Sequence, residues 1–263
     1  MAALPEMSDG GERSPGLRPD AGHLLASTLK ALCCAYLLSL SVWALAALHL
    51  PIELHVPLLA ALILAVMFGF VLYGLPNHHH ARFGYANLVT AIRAGIVSLI
   101  AATVLSSSSF AEHQVNLLVW SVIGATVLAL SLDGVDGYLA RRFRQQSSLG
   151  ARFDMEVDAF LILVLSVACA VLGKAGIWVV LIGLMRYAFI LAQWGLPALR
   201  QELFPSLRRK IICVVQVTVL CLVILPGIEQ PTSGVLSASC LALLVYSFAV
   251  DTVWLLTRKD GAQ

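Results

Sequence analysis

Long apolar runs separated by short polar stretches dominate the chain, at Leu24–Leu48, Val56–Leu75, Asn87–Ser106, Val115–Ala140, Phe153–Leu172, Gly176–Trp194, Ile211–Ile228 and Gly234–Leu256. Each is near the roughly 20 residues that a helix needs to cross the hydrocarbon core. The pattern predicts an all-α, polytopic membrane helix bundle of about eight transmembrane helices. The polar head Met1–His23, with its Pro, Gly, Glu and Arg, predicts a disordered or surface-lying tail. It is too long, and the apolar run that follows too extended, for a cleaved secretory signal.

Composition narrows the class. Hydrophobic residues make up 59% of the 263 positions and charged residues 12%, with mean hydropathy +0.88. A soluble domain has roughly 45–50% apolar and about 25% charged residues. A soluble globule is therefore excluded, as are disordered, collagen-like and disulfide-scaffold chains. The net charge of +2 gives no reason to expect a nucleic-acid partner. All six cysteines fall in apolar runs and read as small packing residues rather than disulfides or metal ligands.

The placement of charge orients the bundle. Of 17 Lys and Arg residues, Arg93 and Arg186 lie inside spans and Lys174 alone in a loop of the opposite side. The rest (Arg13, Arg18, Lys30, Arg82, Arg141, Arg142, Arg144, Arg152, Arg200, Arg208, Arg209, Lys210, Arg258 and Lys259) gather on one side. The positive-inside rule makes that side cytoplasmic. Both termini and the loops 76–86, 141–152 and 197–210 are expected there.

Five of the 15 acidic residues lie between Asp133 and Asp158, where the fourth and fifth spans meet. Charges at the hydrocarbon edge are costly and mark function. Asp133, Asp136, Gly137 and Ala140 share one helical stripe, and Asp154 and Asp158 share another. Glu156 points about 200° away from Asp154 and should stand outside the cluster. A short turn at Gln145–Gly150 brings the two helices antiparallel. Four facing carboxylates would repel strongly unless divalent cations lay between them. Oxygen donors of this kind suit Mg²⁺, Mn²⁺ or Ca²⁺, and small residues beside them leave room for a substrate phosphate. A salt-bridge rim with Arg141, Arg142, Arg144 and Arg152 is the blander alternative, and four aspartates on two facing stripes weigh against it.

The pattern Asp133-x2-Asp136-Gly137-x2-Ala140-Arg141-x8-Gly150-x3-Asp154-x3-Asp158 resembles the signature of the CDP-alcohol phosphatidyltransferases, with every fixed position filled over 26 residues. Asn87-x2-Thr90-x2-Arg93 resembles the motif on that family's first core helix, with Ala86 where the family usually has proline. The resemblance covers roughly Tyr85 to Leu256. It implies a core at 85–257, preceded by two extra helices within 24–84 and followed by a short cytoplasmic tail at 258–263.

The implied reaction moves a phosphatidyl group from CDP-diacylglycerol to an alcohol, with release of CMP. By resemblance, Asp133, Asp136 and Asp154 hold two divalent ions (Mg²⁺ or Mn²⁺), and Asp158 assists and acts as base. Gly137, Ala140 and Gly150 would line the cytidine side, supported by Arg141, Asn87 and Thr90. A homodimer among membrane lipids is implied as well, with the site on the cytoplasmic face of a membrane such as the bacterial inner membrane. Arg186, inside a span, and Arg208, Arg209 and Lys210, at the same membrane face, are candidate acceptor-binding residues. They favour a phosphorylated polyol, glycerol 3-phosphate first, giving phosphatidylglycerophosphate. Phosphatidylglycerol (giving cardiolipin), inositol phosphate, serine and ethanolamine are the alternatives. An ion-coupled secondary transporter is the reading from another class. It predicts acidic residues at mid-span and broken helices in repeated halves, whereas these carboxylates sit at one end of two adjoining helices. His78–His80 and the polar Gln216 and Asp251 read as loop or interhelical hydrogen-bonding groups.

Overall fold

The computed structural model describes residues 21–50, 52–75, 83–111, 116–142, 147–195 and 207–257. Its elements are α1 (Ala21–His49), α2 (His55–Gly74), α3 (Tyr85–Ser106), the single turn α4 (Ser108–Ala111), α5 (Asn116–Arg142) and α6 (Ser148–Val171). A 3₁₀ turn (Ile177–Val180) leads into α7 (Leu181–Gly195), followed by α8 (Leu207–Ile224) and α9 (Thr232–Thr257). The tails 1–20 and 258–263, the loop 196–206 and His78–His80 lie outside the described residues.

All eight expected spans are present as long helices, and six of them meet a length-and-hydropathy standard for crossing a membrane. The other two, α6 and α8, open on charged turns, SLGARFDMEVD and LRRK. Three boundaries shift by four or five residues from the sequence expectation, one being the start of α8, at Leu207 rather than Ile211. Helix α6 starts at Ser148 rather than Phe153, because Ser147 caps it: its Oγ accepts the Gly150 N–H at 3.0 Å. Part of the expected turn is therefore helix. Helix α8 ends at Ile224 rather than Ile228, because Pro226 disfavours helical geometry at Leu225.

That frayed end explains the lone basic residue of the far side. Lys174 Nζ donates to the Leu225 and Ile228 carbonyls at 3.3 and 2.9 Å. It serves the region of negative potential at a helix C-terminus.

Helix α3 is the hub, packing on α5, α2, α6 and α1. Its buried face carries Ala91, Ala94, Gly95, Ser98, Ala101 and Ala102, small residues of the kind that let membrane helices approach closely. A Cβ on Gly95 would lie 2.1 Å from Ser39 Oγ of α1, so any larger residue would force the Ser39 hydroxyl aside. The α1–α2 hairpin thus buttresses α3. On the far side it is pinned by Glu53, which accepts from Ser107 and Ser108 Oγ at 3.1 and 2.7 Å. Its outer face is apolar, with Leu37, Leu62 and Phe70 each more than 60% exposed, as a lipid-facing surface requires.

Candidate active site

Three helices build the site. Helices α5 and α6 each pack more extensively on α3 than on one another. The four aspartates consequently meet over a residue of α3, Arg93. Its side chain is 1% exposed. Nη1 lies 2.5 Å from Asp133 Oδ1 and 3.4 Å from Asp136 Oδ2. Nη2 pairs with Asp154 Oδ1 and lies 3.2 Å from Asp158 Oδ1. The flat fork of a guanidinium suits this task, since its two nitrogens can serve α5 and α6 at once.

The aspartates are not equivalent. Asp136 is the deep one, with its side chain 6% exposed, and accepts from Thr90 Oγ1 at 3.1 Å. Asp133, Asp154 and Asp158 keep 35%, 36% and 28% of their side-chain surface. One carboxylate oxygen from each of these three lies within 4.8 Å of the others. Sequence spacing groups four metal ligands; the structure draws three to ion-sharing distance and sets Asp136 behind them.

Charge decides whether that arrangement fits a cation. One guanidinium faces four carboxyl groups, so the arrangement keeps a surplus of acidic groups at the hydrocarbon edge. Hard oxygen donors with that surplus, partly open to solvent, fit divalent ions and the phosphates that accompany them.

Asn87 and Thr90 fall on the Arg93 stripe of α3. Asn87 is buried, its Nδ2 donating to the Phe83 carbonyl. A Cβ on Gly150 would meet Asn87 Oδ1 at 2.3 Å, so the two positions assigned to the nucleotide pocket are in contact. Gly137 is partly exposed on α5 beside Asp136. Ala140 and Arg141 occupy the last turns of α5 and Lys210 the first turn of α8; their side chains lie outside the described set.

Glu156 stands apart from the cluster as its angle predicts, and it partners Arg186. Arg186 Nη2 donates to Glu156 Oε1 at 2.6 Å. The sequence alone made Arg186 an uncompensated charge; the structure gives it a counter-ion on the opposite face of α6. Arg208 pairs with Asp251 of α9 and lies over the Tyr246 ring, 6.0 Å from its centroid, and Arg209 Nη1 is 4.0 Å from Asp251 Oδ2. Asp251 is therefore the interhelical partner expected of it. Arg186 Nε and Arg208 Nη1 remain buried without hydrogen-bond partners.

Sequence reasoning placed Arg93 within a span and in the Asn87-x2-Thr90-x2-Arg93 motif but gave it no role. The available signal was its spacing of three and six residues from Thr90 and Asn87, which puts all three along one side of α3.

A family model described as CDP-alcohol phosphatidyltransferase matches residues 83–252, nearly the stretch expected from the motifs. No curated protein and no solved structure matches the chain. The family uses divalent metal ions, in keeping with the carboxylate set on α5 and α6. With that match spanning more than half of its length, the chain belongs to the CDP-alcohol phosphatidyltransferase family, phosphotransferases for substituted phosphate groups that transfer a phosphatidyl group from a CDP-alcohol to an acceptor.

Proposed function

We propose that the protein is a phospholipid synthase that transfers the phosphatidyl group of CDP-diacylglycerol to the hydroxyl of glycerol 3-phosphate, forming phosphatidylglycerophosphate and CMP. The observation that carries this reading is the convergence of Asp133, Asp154 and Asp158 within 4.8 Å. Asp133 and Asp154, backed by Asp136, would hold two divalent ions, Mg²⁺ or Mn²⁺, with Asp158. Bound there, such ions would neutralise charge developing on the phosphoryl oxygens and on departing CMP.

The chain's own groups do the rest. Arg93 holds carboxylates of α5 and α6 in one cage, and Thr90 orients Asp136. Asp158 accepts the proton of the attacking hydroxyl. The hydroxyl oxygen bonds to the phosphatidyl phosphorus as the bond from that phosphorus to the CMP oxygen breaks. Asn87 and Gly150, in contact, would form part of the cytidine side with Gly137, Ala140 and Arg141. The diacyl part of the donor stays in lipid while CMP and acceptor exchange with the cytoplasm. Both termini would lie on that side, and a homodimer is the expected assembly.

A phosphorylated acceptor is favoured by the basic set Arg186, Arg208, Arg209 and Lys210. Arg186 and Arg208 already engage Glu156 and Asp251, so an acceptor phosphate would share the two arginines with those carboxylates or displace them. Purified protein given CDP-diacylglycerol, Mg²⁺ or Mn²⁺ and glycerol 3-phosphate should release CMP, and a chelator should stop it. No CMP with any of a panel of alcohols would defeat the assignment. Arg186→Ala should raise the acceptor KM by about tenfold, the worth of one charge-assisted hydrogen bond, with a much smaller effect on the donor KM. Equal effects on both would remove Arg186 from the acceptor site. Activity confined to serine or ethanolamine would replace glycerol 3-phosphate as acceptor.

A further inference from the structure

The transfer chemistry gives no role to the buried amide of Gln216. Gln216 of α8 is 3% exposed, and its amide nitrogen has no hydrogen-bond partner. Buried N–H groups are rarely left unpaired, because burial strips their water and returns nothing. Among the described residues no donor–acceptor pair satisfies this N–H.

Interhelix contacts fix its level. Cys213 precedes Gln216 by three residues on the same stripe of α8, and feels the charges of Asp158, Asp133, Arg93 and Asp154. Beyond Gln216, Cys169 Sγ of α6 lies 3.8 Å from the Leu220 carbonyl. Gln216 lies between these two levels. Its amide is about one helical turn, roughly 5 Å, to the bilayer side of the carboxylate cage.

We propose that Gln216 is a donor-lipid-binding residue, its amide N–H donating to an ester carbonyl of the diacylglycerol moiety and so selecting ester-linked over ether-linked donors. The inference rests on the CDP-diacylglycerol reading. With the diphosphate at the cage, the glycerol carbons come next along the lipid, and the ester carbonyls follow as the next strong acceptors. They enter the bilayer at the depth where the unpaired N–H waits. An ether-linked lipid has only weakly accepting oxygens there, and leaves the N–H unpaired.

The test uses the full chain in lipid–detergent micelles, with acceptor and divalent metal saturating. CMP release is compared for CDP-diacylglycerol and a dialkyl ether analogue of equal chain length, in the unaltered protein, Gln216→Leu and Gln216→Met. The unaltered protein should prefer the ester donor by about tenfold in kcat/KM, as one hydrogen bond allows. Both substitutions should bring the ratio close to one through the donor KM, while the acceptor KM stays put. Without donor lipid, neither should melt below the unaltered protein, since each removes an unpaired buried donor. An ester-to-ether ratio that survives both substitutions overturns the proposal, and so does clear destabilisation of both variants, which would make Gln216 a packing group. Absence of CMP release by the unaltered protein with either donor would instead refute the parent reading and the proposal with it, an outcome separable from the others.

Discussion

Replacing Arg93 by alanine should destabilise the bundle by about 3 kcal/mol in a metal-free, chelator-containing buffer, with much of that loss recovered when Mg²⁺ or Mn²⁺ is added. Breaking a fully buried ion pair by deleting one partner costs about 3–5 kcal/mol, because the other charge stays buried alone. Arg93 is 1% exposed, but Asp133 and Asp154 keep about a third of their side-chain surface in solvent, at 35% and 36%. They can protonate or hydrate once the guanidinium is gone, which places the loss at the lower end. Added divalent ions restore positive charge to the cage and bind the folded state only, so stability rises with their concentration. Arg93→Lys should fall between, since a single ammonium cannot fork to α5 and α6 together. Thermal unfolding in detergent, with and without metal, reads the effect. A melting temperature unchanged by Arg93→Ala in chelator would show that the cage is not held electrostatically.

The same residue shows where sequence reading stops. The aspartates were legible because helical geometry is local: Asp133 with Asp136, and Asp154 with Asp158, share stripes at spacings of three and four residues. The same rule correctly set Glu156 aside. Arg93 lies 40 residues before Asp133, and no local spacing says which face of α3 meets which helix. Its role depends on α3 packing against both α5 and α6, a tertiary register that small residues such as Ala91, Ala94 and Gly95 permit without encoding it. The counter-ion of Arg186 escaped sequence reading in a related way. Its partner Glu156 lies 30 residues away on another helix, so the arginine looked uncompensated when only its own span was considered. The number and order of the long helices were legible because apolar runs mark them, although only six of the eight are long and apolar enough to count as spans by those criteria alone. The ends were less so, since Ser147 and Pro226 act through capping and backbone geometry rather than through hydropathy.

Asp158→Asn should lower kcat by at least about 10²–10⁴-fold, the usual contribution of a positioned general base, while nucleotide binding at saturating metal changes only a few-fold. Asparagine keeps the size and one oxygen of the side chain but cannot accept a proton from a hydroxyl near neutral pH. Asp158 is suited to be the separable member of the set. Arg93 engages it through Oδ1 at 3.2 Å, more loosely than the 2.5 Å contact to Asp133 Oδ1, and the carboxylate has a second oxygen for the proton. It is 28% exposed, so a polar acceptor can reach it, whereas Asp136 at 6% is shielded behind Thr90. Removing one charge also weakens the pull on divalent ions, which is why the comparison must be made at saturating metal. CMP release and CDP binding, measured on the same preparation, separate the two effects. Turnover at the unaltered rate would take the base role away from Asp158. A parallel loss of turnover and CDP binding at every metal concentration would make it a ligand-holding group like Asp133 and Asp154.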